Sequence, residues 1–303
     1  MNRFLSCCLA LALILSLAVP ASAKKRRKAF EEKAGDSAAQ VYFGIPVTED
    51  GNGFTLNLWG GYQILDHLDA TMSLSMAADE DSNVVAGNPV ISVGSSLWPT
   101  KMSRGFGAYV NGRLNLGLGM FGIERDQMRA SALGILNSMS WLSFMSEHLV
   151  IAPRLSGGMY LSRVYIGGRV APQIAVPVHH TDGRDTEVAM HYQFSLSTGF
   201  GDHRGGLSFA IGMSGLSELT TEAEENRFTL DLGVGVRFRV VKQHGLRISA
   251  GLSIPLGGDF LGTSVIIGGN ISWGYAVEIP DDPGEAAEEA ATGWSVPYGI
   301  WQR

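Results

Sequence analysis

Six arginines stand where they can act together: Arg113, Arg154, Arg169, Arg237, Arg239 and Arg247. Each falls on the polar side of a stretch in which apolar and polar residues alternate. The stretch "RFTLDLGVGVRFRVV" shows the pattern, with Phe228, Leu230, Leu232, Val234, Val236, Phe238 and Val240 on one side. Thr229, Asp231, Gly233, Gly235, Arg237 and Arg239 take the other. Guanidinium groups facing one narrow, low-dielectric passage focus an attractive potential on anions. Acids on the same faces are fewer, Asp231 and Glu187 being the clearest. The competing expectation is that loop acids, or the segment 124–147, pair with these arginines and close the interior.

Other residues with chemical potential are less well placed. His191 shares a face with Ser195 and Ser197, away from the apolar side, and no hydrolase signature surrounds it. His179 and His180, with Asp182 and Asp185, lack regular metal-ligand spacing. The acids of "ADEDSN" suit a solvated loop better than a calcium loop. Glycine runs such as "GLGMFG" are expected to open no helix, which argues against a phosphate cradle. The expectation is therefore no enzyme activity, no metal and no cofactor. A net charge of −6 argues against a general nucleic-acid binder.

The elements carrying these residues repeat every second position from about Val41 onward. In "FTLNLWGGYQIL", Phe54, Leu56, Leu58, Gly60, Tyr62 and Ile64 share one face. "LDATMSLSM", "FGAYVNGRLNLGLGM", "EVAMHYQFSLSTGF", "LRISAGLSIPL" and "SVIIGGNISWGYAV" alternate in the same way. Helical periodicity is scarce, so the chain is expected to be all-β. Strands are expected near 40–47, 54–65, 68–77, 89–98, 105–121, 148–160, 163–178, 187–200, 205–216, 226–240, 245–256 and 263–278, which makes 12. Long polar connections (78–88, 179–186, 217–226) tend to alternate with short ones such as Asp66–His67. The segment 124–147, "ERDQMRASALGILNSMSWLSFMSE", would make the strand count odd. It is expected instead to be a helical or irregular loop folded toward the barrel mouth, with Met128, Ile135, Met139 and Leu142 near one face.

Strand length separates a membrane barrel from a soluble sandwich. Soluble strands usually run about five or six residues, whereas several alternations here persist for ten or more. A membrane strand needs about 9–11 residues, tilted by about 40°. Phe228 and Phe238 lie ten residues apart on one apolar face. That is about 33 Å along the strand, or roughly 25 Å of height once tilted. With Tyr62, Phe106, Trp273 and Tyr275 they are candidates for aromatic girdles at the membrane interfaces. Glycine, at 39 of 303 residues, is plentiful and with Ser, Thr and Asn fills the polar faces, as a wet barrel interior requires.

In this pattern residues 40–278 resemble the bacterial outer-membrane β-barrel proteins as a class, porin-like in form. The stretch "SVIIGGNISWGYAV", with Ile271, Trp273 and Tyr275 after Gly268, is similar to the terminal recognition strand of those proteins. The resemblance implies a transmembrane antiparallel up-and-down β-barrel of about 12 strands. It also implies contact with outer-membrane lipid and insertion by the barrel-assembly machinery. The family often ends on an aromatic residue of that strand, whereas this chain continues.

Both ends differ from the middle. Residues 1–23 read as a signal peptide: Arg3, an apolar core, then Ala21 and Ala23 before the expected mature start at Lys24. Cys7 and Cys8 fall inside it, so the mature chain would hold no disulfide and no thiolate chemistry. Residues 24–39 form a basic and polar leader, 40–279 the barrel, and 280–303 an acidic periplasmic tail. The expected function is passive passage of small polar, in particular anionic, solutes across the outer membrane. The alternatives are a closed barrel serving structure or adhesion, and a membrane-embedded lipid hydrolase.

Overall fold

The computed structural model describes residues 37–49, 51–65, 68–98, 106–119, 122, 124–161, 164–178, 185–201, 205–220, 226–241 and 244–275. The expected signal peptide, the basic run that follows it, the acidic tail and His179, His180 and Asp182 lie outside these residues. So do the side chains of Phe106, Arg237, Phe238, Arg239 and Tyr275, whose backbones are described.

The strands are β1 Ser37–Thr48, β2 Phe54–Leu65, β3 Leu68–Ala78, β4 Val84–Ala86, β5 Val90–Trp98, β6 Phe106–Gly117 and β7 His148–Leu161. They continue with β8 Val164–Pro177, β9 Glu187–Gly201, β10 Gly205–Glu218, β11 Asn226–Val241, β12 His244–Gly257 and β13 Thr263–Tyr275. β4 pairs only with the end of β3. The other twelve pair antiparallel with their neighbours in sequence, and β1 pairs with β13 to close the barrel. The expected twelve strands are thus present, and the first begins three residues earlier than expected, at Ser37.

Closure explains why so many apolar side chains are left uncovered. Leu232 and Val234 on β11, Ile211 and Met213 on β10, and Ile267 and Ile271 on β13 all point outward and are exposed. Their neighbours Thr229, Asp231, Ser214 and Asn270 point inward and are buried. This inverts the soluble rule, and only hydrocarbon satisfies such an outer surface. Among the described residues no helix is long and apolar enough to cross a membrane; the strands do the crossing.

One seam in the wall is incomplete. The β7–β8 ladder reaches Ile151↔Ile174 and resumes at Leu155↔Val170, skipping 152–154 and 171–173. Pro153 and Pro172 sit in the gap, and neither has an N–H to donate. On its other side β7 stays fully paired with β6, and Asn115 of β6 adds a bond from Nδ2 to the Ala152 carbonyl at 2.8 Å.

Between β6 and β7 the chain turns into the barrel. A 3-10 turn, Arg125–Gln127, leads into helix α1, Met128–Ser138. The glycine run at 117–122 therefore does precede a helix, contrary to expectation. The backbone of Leu142 and His148 occupies the space at Gly117 and Gly119. Met139, in the left-handed region at φ 48°, ends the helix. The segment 124–147 is therefore helical at its centre and folded into the mouth. Its buried face differs from the expected one. Met128 is 63% exposed, while Ala130, Ser131, Leu133, Gly134, Leu136 and Asn137 are buried. A helix enclosed by a barrel wall is covered on most sides, so its apolar stripe is a poor guide to its contacts.

Candidate functional site: the barrel lumen and its plug

The lumen has two zones. At the long-loop end, Leu136, Met139 and Trp141 from the inserted segment pack against Val150 of β7, Ala175 of β8, Ala189 of β9 and Leu216 of β10. Phe260, from the β12–β13 connection, completes this cluster. A second cluster joins Ala130 and Phe144 to Ala77 and Val85. Small wall residues are what let the plug fit. A side chain at Gly44 would meet Asn137 at 2.5 Å, and one at Gly117 would strike the Leu142 carbonyl.

Neutral polar contacts orient the plug. Gln173 on β8 accepts the Trp141 N–H through Oε1 at 2.7 Å and donates from Nε2 to Ser140 Oγ at 3.1 Å. Ser75 on β3 donates to Ser143 Oγ at 3.1 Å, and Asn88 Nδ2 donates to the Met145 carbonyl at 2.7 Å. Asn137 donates to Thr55, and Tyr42 donates to Asn137 Oδ1 at 3.4 Å. The plug's Arg129 pairs with Glu80 at 2.6 Å.

Below the plug the wall is basic and polar. Arg113 of β6 lies opposite Arg154 of β7. Arg169 of β8 stands between Ser156 of β7 and Gln193 of β9. His191 is the next lumen residue toward the mouth on β9, opposite Ala171. Arg169 is 9% exposed and His191 3%. Nearer the short-turn end, Tyr109 and Tyr165 stack at 6.5 Å with their hydroxyls 2.8 Å apart. Arg247 of β12 donates to Ser208 Oγ at 3.2 Å. Its backbone partner is Arg237, and Arg239 pairs with Gly245.

Among the described residues, Asp231 and Asp69 face this lumen below the plug. Asp231 is fully buried, accepting from Ser214 Oγ at 2.5 Å and from Thr229 Oγ1 at 3.1 Å. Asp69, not anticipated, forms an ion pair with Arg113, which also donates to Thr71 Oγ1 at 3.0 Å. Its alternation with Thr71 marks its face; only the fold marks its partner. The opposite wall carries a row of glycines. Gly233 of β11, Gly251 of β12, Gly268 of β13 and Gly44 of β1 follow one another in register.

The remaining candidates separate cleanly. Tyr62 and Trp273 are exposed on the outer surface, and Phe228 lies there with its ring over Gly257. Phe200 and Phe209 extend the aromatic surface, in edge contact at 6.5 Å. Ser195 and Ser197 share the lumen side with His191. Asp79 of the acidic loop accepts from the Asn83 backbone N–H and Nδ2, at 2.9 and 3.0 Å. Among the described residues no group of three or more His, Cys, Asp or Glu is arranged to hold a metal ion.

A closed antiparallel barrel with an apolar exterior and a polar lumen defines the class: the fold is that of the bacterial outer-membrane β-barrels. Solved structures of that class superpose on it. An outer-membrane channel from Pseudomonas putida F1 matches 84% of this chain over 99% of its own, with a TM-score of 0.55 at 10% identity. The NanC porin matches 79% over 98% of its own length, at a TM-score of 0.46 and 6% identity. The β domain of the Bordetella autotransporter BrkA gives the same coverage, at 0.47 and 11%. No family model matches the chain, and no curated protein does.

Proposed function

We propose that this chain is an outer-membrane channel for small anionic solutes, closed at its outer mouth by the segment 124–147. The observation carrying this reading is the charge of one wall. β6, β7 and β8 hold Arg113, Arg154 and Arg169 on the lumen side and contain no acidic residue. Facing a row of glycines, with Arg247 nearer the short-turn end, these guanidiniums create a positive field of the kind that favours anions in narrow pores. The same reading includes export through a signal peptide ending at Ala23, insertion by the barrel-assembly machinery, and a lumen without catalysis.

Planar-bilayer recording tests it. The wild-type chain is expected to conduct with a reversal potential displaced toward that of chloride. Arg154→Ala and Arg169→Ala are each expected to reduce the displacement, and Arg237→Ala with Arg239→Ala to reduce it further. A second reading, a closed structural barrel, is favoured by the apolar packing that fills the mouth. A protein that stays silent in the bilayer supports it over the channel.

A further inference from the structure

We propose that the lumen wall directly beneath the plug is a binding site for one oxyanion, a carboxylate or phosphate group on a small solute. The inference deepens the channel reading and rests on it for the route by which the solute arrives.

Two unpartnered buried nitrogens carry the argument, the Gln193 amide as a donor and the His191 imidazole as a donor when its proton sits on Nε2. His191 and Gln193 occupy successive lumen positions on β9. Both are buried, at 3% and 8% exposure, and neither Nε2 atom has a hydrogen-bond partner. A buried donor with no acceptor is costly, and native interiors seldom keep one without a ligand, ion or water to complete it. Two such donors side by side ask for the same missing acceptor.

The surroundings define its charge. Arg169 lies directly across from Gln193. Arg154 stands one step past the Leu155↔Val170 pair, beyond Ala171. Ala171 is too small to fill the space between Arg154 and His191. Guanidinium forks match the planar oxygens of carboxylates and the tetrahedral oxygens of phosphates. Ala175 and Ala189, covered by the plug, seal the site from above, and this strengthens any charged contact made below them. The seal and the site also share β8: Gln173 holds the plug, and Arg169 lies two lumen positions below it.

The test separates the site from general anion preference, because His191 and Gln193 can be changed while every arginine stays. Acetate and inorganic phosphate are titrated calorimetrically into the full chain in detergent, with glycerol as the uncharged control. Saturable binding of one anion per barrel is expected for at least one of the two. Gln193→Leu and His191→Phe are each expected to weaken it about tenfold or more, with the bilayer reversal potential unchanged. Heat-modifiable gel migration verifies folding, and either variant alone is sufficient if the other fails to fold. Absence of saturable binding by both anions overturns the proposal. So does unchanged affinity in the folded variants, which would assign the two donors to buried water. Anion-preferring conductance without binding removes the site and keeps the channel. Binding to a silent barrel keeps the site and removes the channel.

Discussion

At the residue scale, the pairing of Asp69 with Arg113 sets how much of the basic wall is free to act on a solute. Both side chains are largely buried, and Thr71 takes a further donor of the guanidinium. Arg113→Leu would leave the Asp69 carboxylate facing a low-dielectric lumen without its cation. The expected cost is about 1–3 kcal/mol, read as a lower temperature for loss of the heat-modifiable gel band. Asp69→Asn, which keeps a neutral hydrogen-bond acceptor, is expected to cost less. The faces of these residues were legible in the sequence, because parity alone assigns a side chain to lumen or lipid. Their partnership was not. Asp69 and Arg113 are 44 positions apart, and β5 stands between their strands. The same limit applies to Asp231, whose inward direction is plain in the alternation while its hydroxyl partners come from register.

At the element scale, the plug is the feature on which conduction turns. It is held by apolar packing, by contacts between neutral amides and hydroxyls, and by the Arg129–Glu80 ion pair. Replacing 124–147 by a short Gly-Ser linker leaves every barrel strand in place. Conductance is expected to rise several-fold, because the mouth then loses Leu136, Met139, Trp141 and Phe144 together. An unchanged current would place the constriction below the plug, among the arginines. Strand parity made a helical insertion the consistent reading of this segment, and α1 is there. Its orientation was not legible. Met128 stands at the helix start and reaches outward, while Asn137 is buried against Thr55 and Gly44. A polar residue buried by a polar wall leaves no mark in a hydrophobic pattern.

At the scale of the whole molecule, the outer surface and the lumen impose opposite rules on adjacent positions. Val234 faces outward near the middle of β11, while Gly233 beside it faces the lumen. Val234→Arg is expected to cost about 2–4 kcal/mol, the penalty for a cation near the membrane midplane. It would appear as loss of the folded band and of the protein from the membrane fraction. Gly233→Ser is expected to assemble normally. The barrel as a whole was legible because a long two-residue period has few other physical uses. The interruption between β7 and β8 was not, because a proline on an outward position resembles any other apolar residue in such a pattern.

That interruption bears on how the wall breathes. A continuous ladder hides its amides behind cooperative opening, and a broken one does not. Deuterium should therefore enter the backbone first, among the mid-strand positions, at Ile151, Leu155, Val170 and Ile174, which border the gap, while the amides of Leu232 and Val234 stay protonated far longer.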